Sequence, residues 1–286
     1  MTKVIDRKTK KITEEASPKG GSFLYNNFWG RIVLKLVNKR FTSRIAGSYM
    51  NKKISTKHIS NFIKDNKIDM SEYEKVEYKS FNDFFSRKIK SGKRPFSTIK
   101  TDFCAPCDSK LTIYKLKDDE EFIIKNKKYT LESILKDKEL AKKYKNGYFL
   151  VFRLSVDDYH RYAYVDDGKL LKRKQIKGVL NTVGPIAFDR FKVYEENQRE
   201  YEVLKTDNFD EIIAMEVGAL LVGKIVNHKK ESFKRGEEKG YFKFGGSTVV
   251  IIAKENILKI DKDLLENSKN KLETKVKQGE RIAKRL

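Results

Sequence analysis

The sequence predicts an α+β protein, with a β-rich, mostly antiparallel core behind a basic helical N-terminal region. Three observations carry that prediction. From about Phe103 onward the chain breaks into short apolar runs separated by turn pairs such as Asn146-Gly147, Asp167-Gly168 and Gly245-Gly246, the texture of strands and hairpins. Before residue 100 the apolar residues recur instead at helical spacing. No internal repeat and no Pro- or Ser-rich linker interrupts the 286 residues, so one body with a helical forward region is the economical partition.

Residues 1–21 are polar and lysine-rich and read as a flexible basic lead-in. Residues 22–100 read as a helical region that associates with membranes. From Ala16 to Lys64 there is no acidic residue, while Arg31, Lys35, Lys39, Arg40, Arg44, Lys52, Lys53 and Lys57 are basic. Trp29, Ile32, Val33, Leu36 and Val37 fall on one side of a helix, with Arg31, Lys35 and Lys39 on the other. An apolar stripe backed by cations suits a helix lying in a lipid interface; packing on its own domain is the competing reading. Each Lys or Arg near an anionic leaflet is worth about 1 kcal/mol, which makes an anionic membrane surface the expected partner.

Two shorter helices follow. One is centred on Ile59, Phe62 and Ile63, and one on Phe81, Phe84 and Phe85, with Pro95 marking the exit. Strands are expected at Leu111–Tyr114, Phe122–Ile124, Tyr148–Leu154, Tyr162–Val165, Ile212–Val217, Leu220–Val226 and Val249–Ala253. Leu131–Tyr144 reads as a helical insertion. The strands and the insertion belong to the core, residues 101–286.

Composition narrows the function classes. With 18 Phe and 14 Tyr the chain has bulky core material, and with 16 Gly and 4 Pro it is neither collagenous nor low-complexity. No apolar run approaches the roughly 20 residues that span a bilayer. The start MTKVIDRKTKKITEE lacks the apolar stretch of a secretory signal, so an intracellular protein is expected. Sixty-three Lys and Arg against 40 Asp and Glu leave a net charge of +23. That balance favours an anionic partner, whether nucleic acid, membrane or acidic substrate. A lysine-rich proteome would produce the same total.

Few residues can do chemistry. Of the three histidines, His160 lies between two apolar runs where a general base can be held rigidly, while His58 and His228 read as surface residues. Cys104 and Cys107 have CxxC spacing without a second ligand pair, so no metal site is expected and both are read as bystanders. The sharpest feature is Gly245-Gly246-Ser247-Thr248 between two strand-like runs. Glycines permit a tight bend and leave the backbone open to attack. With a base nearby, Ser247 Oγ can attack the carbonyl of Gly246 and shift the acyl group from N to O. Elimination then cuts the chain, and hydrolysis leaves a pyruvoyl group at the new N-terminus. An ordinary hairpin turn is the alternative.

Several segments resemble one family. EKGYFKFGGSTVVII is similar to the self-cleavage site of the phosphatidylserine decarboxylase proenzymes. Ser80–Arg87 with Arg94-Pro95, Asp157–Arg161, Glu196–Arg199, Glu216–Gly223 and Glu273–Glu280 resemble further motifs of that family, in its order. The resemblance implies cleavage between Gly246 and Ser247 into a beta chain, 1–246, and an alpha chain, 247–286, that remain associated. It implies a covalent pyruvoyl cofactor made from Ser247, with His160 as base and Asp108 as its acidic partner. It implies decarboxylation of phosphatidylserine to phosphatidylethanolamine through a Schiff base, by a peripheral protein on the cytoplasmic face of the cell membrane. A homodimer stays open. Two positions depart from the family pattern: Ser109 stands where Gly is usual after Asp108, and Ala163 stands where many relatives have a second histidine. The alternatives are a pyruvoyl decarboxylase of another serine-headed lipid and a non-catalytic basic protein that binds nucleic acid.

Overall fold

The computed structural model describes residues 2–15, 47–117, 121–124, 127–182, 185–188, 190–219, 224–244 and 247–286. Along the chain the strands are β1 (Thr2–Asp6), β2 (Ile12–Glu15), β3 (Asp102–Cys104), β4 (Ser109–Lys115), β5 (Glu121–Ile124) and β6 (Lys127–Thr130). Next come β7 (Tyr148–Leu154), β8 (Arg161–Ala163), β9 (Gly168–Ile176), β10 (Arg199–Thr206), β11 (Glu211–Val217) and β12 (Ile225–Asn227). The last six are β13 (Ser232–Phe233), β14 (Glu238–Phe242), β15 (Ser247–Ala253), β16 (Leu258–Ile260), β17 (Leu272–Val276) and β18 (Arg281–Arg285).

Ten of these strands form one sheet, in the order β13-β9-β10-β11-β15-β7-β4-β17-β1-β2. Its pairings are antiparallel except that of β1 with β17. The β-rich, mostly antiparallel architecture is therefore as the turn-punctuated apolar runs predicted. β15 lies centrally between β11 and β7, and all seven of its residues are buried. An unbroken Val-Val-Ile-Ile-Ala run is what a strand covered on both faces requires. β8, β12 and β14 form a second small sheet, and β3, β16 and β18 a third. The helix Lys262–Lys269 is tied to the large sheet: Ser268 Oγ accepts from the Ile113 amide at 3.0 Å, and Asn267 Nδ2 donates to Thr274 Oγ1 at 3.0 Å.

The helical forward region has its own small core. The helix Ile59–Asp65 contributes Ile59, Phe62 and Ile63, which pack on Phe81, Phe84 and Phe85 of the helix Phe81–Phe85. Ser80 caps the latter helix by accepting from the Asp83 amide at 3.2 Å. The expected insertion over 131–144 is a pair of short helices, Leu131–Leu135 and Lys138–Lys142, capped by Thr130 and Asp137.

One expectation is corrected. The lead-in is not flexible over residues 2–15, which form the β1–β2 hairpin at the edge of the large sheet. Polarity concealed two anchors. Val4 is buried, and Arg7 reaches three carboxylates, Asp261 at 2.7 Å, Asp263 at 2.8 Å and Glu280 at 3.1 Å. Backbone pairing with β17 needs no apolar side chains, so a lysine-rich segment can still be ordered. The amphipathic helix read over 29–37 lies outside the described residues, as do Gly245, Gly246 and residues 220–223.

Candidate active site

Ser247 opens β15 opposite Leu154, the last residue of β7. It is fully buried, and its Oγ has no hydrogen-bond partner among the described residues. Such an orphan is rare in a folded interior and calls for a reason. β7 then runs into the turn Ser155–Asp158 that presents His160. The Ser155 amide donates to Asp158 Oδ2 at 2.7 Å, fixing the turn.

His160 is held from several sides. Its carbonyl accepts from the Phe242 amide at 3.0 Å, on the strand that leads to the glycines. Its ring rests on Phe85, with centroids 4.0 Å apart. Nδ1 lies 2.9 Å from the Asp158 carbonyl, so Nδ1 carries the hydrogen and Nε2 is left as the acceptor. Nε2 has no partner among the described residues. Burial, reinforced by the Arg87 and Lys110 charges and opposed by Asp158, pulls the imidazole pKa down to about 3. The ring is therefore neutral near pH 7, with a free lone pair on Nε2.

Beneath it is a buried ion pair. Lys110 Nζ meets Asp158 Oδ2 at 2.7 Å, and Glu15 Oε1 of the N-terminal hairpin lies 3.6 Å from the same ammonium. Burial alone would raise the Asp158 pKa, but the Lys110 charge and the hydrogen bonds it and Ser155 provide hold it below the usual range. The charged carboxylate keeps the turn, and with it the carbonyl that orients His160.

Asp108, the acidic partner the resemblance implies for His160, makes its hydrogen bonds to other groups. Its carboxylate is gripped by Arg94, with Nη2 to Oδ2 at 2.7 Å and Nε to Oδ1 at 2.9 Å, and by the Gln278 amide at 2.8 Å. The hydrogen bond of the His160 ring goes to the Asp158 carbonyl instead. Asp108 thus ties three of the motif segments together: Arg94-Pro95, its own loop, and the C-terminal stretch around Gln278. Ser109 is buried at the start of β4, with Oγ 3.4 Å from the Cys107 carbonyl. Ala163 ends β8, where its amide bonds to the Pro106 carbonyl.

The remaining candidates sort by environment. Burial raises both cysteine thiols, Cys107 well above its ordinary value, so neither is a ready thiolate. Among the described residues no cluster of His, Cys, Asp or Glu could hold a metal ion. His58 meets Tyr49 and His228 meets Glu238, both away from Ser247 in their contacts.

Three contributors were missed in the sequence. Asn82 Oδ1 accepts from the Phe244 amide at 2.8 Å and so anchors the strand end just before the glycines. Phe244 in turn packs edge-on against Phe81 and Phe85, at 5.0 and 5.2 Å. Lys110 is the third, and its place in the mixed polar and apolar strand Ser109–Lys115 gives no warning that it is buried. Asn82 sits inside a recognised motif, but only the fold shows which backbone group it serves.

The arrangement places a buried hydroxyl at a strand start and a neutral imidazole beside the strand that precedes it. It suits a base-assisted attack by Ser247 on its own peptide. The phosphatidylserine decarboxylase family matches residues 81–284. The Clostridium acetobutylicum protein named phosphatidylserine decarboxylase proenzyme 2 is 54% identical over 282 residues, covering 98% of this chain and 97% of that protein. Proteins named phosphatidylserine decarboxylase proenzyme from Fusobacterium nucleatum and Ruminiclostridium cellulolyticum are 42% and 40% identical, over 97% and 99% of this chain and 96% and 97% of theirs. On family match, near-complete coverage and identity together, this chain belongs to the phosphatidylserine decarboxylase family.

Proposed function

We propose that this chain is a phosphatidylserine decarboxylase that cuts itself between Gly246 and Ser247 and converts Ser247 to a pyruvoyl group. One observation carries the reading: Ser247 Oγ and His160 Nε2 are both buried and unpartnered among the described residues, and the Phe242 and Phe244 amides donate to His160 and Asn82, which hold the segment leading to the cut. Nε2 takes the hydroxyl proton as Oγ attacks the Gly246 carbonyl, and the peptide becomes an ester. Loss of the Cα proton expels the Gly246 carboxylate and leaves a dehydroalanine. Water then replaces the nitrogen, which departs as ammonia, and the new terminus is a ketone. That ketone supplies an electrophile for an amine and a sink for the electrons left behind as CO₂ departs.

The chain's own contribution after cleavage is to hold the new terminus still. Thr248 is registered with Val217 on one side and Arg153 on the other. The small chain stays attached through β17, paired with β4 and β1, and through Arg153–Glu273 at 2.5 Å. The enzyme works as a peripheral protein at the cytoplasmic face of an anionic membrane. The net charge of +23 and the exposed Ile54, among Lys52, Lys53 and Lys57, support that location.

Intact mass of the purified protein tests the cleavage. The expected result is a large fragment ending at Gly246 and a small one, residues 247–286, with a blocked N-terminus. Ser247→Ala should stay at full length and release no CO₂ from phosphatidylserine. An uncut but active parent protein would defeat the proposal.

A further inference from the structure

Arg87 is a buried cation with no carboxylate partner among the described residues. It is 2% exposed, and its guanidinium lies 4.3 Å from the Tyr73 ring centroid and 5.0 Å from that of Phe84. Only Nη2 is engaged, with the Tyr73 hydroxyl at 3.2 Å and, more weakly, the carbonyls of Asp157 at 3.4 Å and Asp158 at 3.5 Å. Nε and Nη1 have no partner among the described residues.

The other two buried arginines solve the same problem differently. Arg153 meets Glu273 and Glu15. Arg199 has no carboxylate, but it donates to the carbonyls of Ile134, Glu195, Asn197 and Ser133. Arg87 does neither, although an uncompensated buried charge costs several kcal/mol. Face-on contact with two rings offsets part of that cost. It leaves Nε and Nη1 without an acceptor among the described residues, and such a pair of N–H groups suits an anion in the paired geometry arginine favours.

The location identifies the anion. Arg87 Nη2 and His160 Nδ1 converge on one oxygen, the Asp158 carbonyl, so guanidinium and imidazole stand side by side. The Arg87 amide bonds to the Phe84 carbonyl at 3.0 Å, and the neighbouring Ser86 carbonyl accepts from Arg161 at 2.8 Å, which fixes the base of the side chain. On the proposed function, the substrate headgroup brings two anions here, a carboxylate and a phosphodiester. A cation clamped on the carboxylate would stabilise the charge that must vanish as CO₂ leaves, and would raise the barrier. A cation on the phosphodiester carries no such penalty, because that charge is unchanged through the reaction.

We infer that Arg87 receives the phosphodiester of the lipid headgroup and thereby sets the reach of the serine moiety toward Ser247. This rests on the decarboxylase reading. The test uses the matured enzyme and two amine-free probes that cannot condense with a ketone: glycerophosphoglycerol, a phosphodiester without carboxylate, and 3-hydroxypropionate, a carboxylate without phosphate. Calorimetry gives their affinities for the parent and for Arg87→Gln, and steady-state rates give KM and kcat for phosphatidylserine. The expected result is at least a tenfold loss of glycerophosphoglycerol affinity, little change for 3-hydroxypropionate, and a loss of kcat/KM that falls mainly on KM. Arg87→Lys keeps the charge without the two-pronged geometry and should lie between, which covers the case in which Arg87→Gln fails to mature. Equal glycerophosphoglycerol affinity in parent and variants, including none in any, overturns the inference. So does a loss confined to 3-hydroxypropionate, which would make the carboxylate the ligand. A parent that matures and decarboxylates phosphatidylserine leaves the proposed function intact in either event.

Discussion

At the scale of single residues, His160 links the site to stability. An unfolded chain protonates this imidazole near pH 6.5, whereas in the fold it stays neutral down to about 3. Between those values the unfolded state binds a proton that the native state does not. Stability is therefore fully present above about pH 6.5 and is lost as pH falls toward 3. At about 1.4 kcal/mol per pH unit, going from pH 6.5 to 5 removes about 2 kcal/mol. Urea unfolding of the uncut Ser247→Ala chain at pH 7 and pH 5 should show that loss, and adding His160→Asn should abolish most of it. Equal acid sensitivity in both proteins would mean the ring is not buried neutral. The same residue marks how far the site was legible in sequence. Ser247 and His160 could be chosen because a hydroxyl next to glycines and a scarce imidazole are recognisable as chemical types. Lys110, Asn82 and Arg87 could not, since their roles depend on burial and on a backbone group brought from elsewhere in the chain. Asn197, in a recognised motif, proves to be a staple: its Nδ2 bonds the carbonyls of Asn181 at 2.7 Å and Gly218 at 2.8 Å.

At the scale of elements, strands were read where side chains advertise them. β7, β11 and β15 are apolar runs buried on both faces, and each lies where the run does. The β1–β2 hairpin escaped because its order comes from backbone pairing and one arginine. On the proposed self-cleavage, that arginine would give the hairpin a function in the cut protein. Asp261, Asp263 and Glu280, the partners of Arg7, all belong to the fragment 247–286, as does β17, the strand that β1 pairs with. The hairpin would thus clamp the proposed large chain onto the small one. Arg7→Ala strands three carboxylates around a vacated, partly buried position, a cost of about 2 kcal/mol after allowance for partial exposure. With a urea slope of about 2 kcal/mol per molar, the matured variant should release its small chain about 1 M earlier. Size-exclusion chromatography in graded urea would show it, and coincident release from the two proteins would rule the clamp out.

At the scale of the whole molecule, the forward helices connect an exposed basic turn to the site, and on the proposed location that turn would face the membrane. Ile54 is 59% exposed and Val76 54%. Beside Ile54 in the chain Lys52, Lys53 and Lys57 are exposed, and beside Val76 Lys75 and Lys79 are exposed together with Glu74 and Glu77. The short turn carrying Ile54 is fastened to the aromatic cluster, because Ser55 Oγ accepts from the Phe81 amide at 2.9 Å. Phe85 of that cluster lies against His160. On the proposed membrane location, docking through the Ile54 turn would link the lipid surface to the imidazole through this aromatic cluster. Charge should supply most of the attraction, since two exposed apolar side chains bury little area, whereas each basic residue near an anionic leaflet contributes about 1 kcal/mol. Vesicles rich in phosphatidylglycerol should retain the protein at low salt and release it as ionic strength rises and the screening length shortens. Vesicles of phosphatidylcholine alone should retain much less. Reversing Lys52, Lys53 and Lys57 to Glu should lower partitioning onto the anionic vesicles at least tenfold while self-cleavage proceeds, because those side chains make no contact with Ser247 or His160. Binding indifferent to both lipid charge and salt would place the attraction elsewhere and detach the basic surface from catalysis.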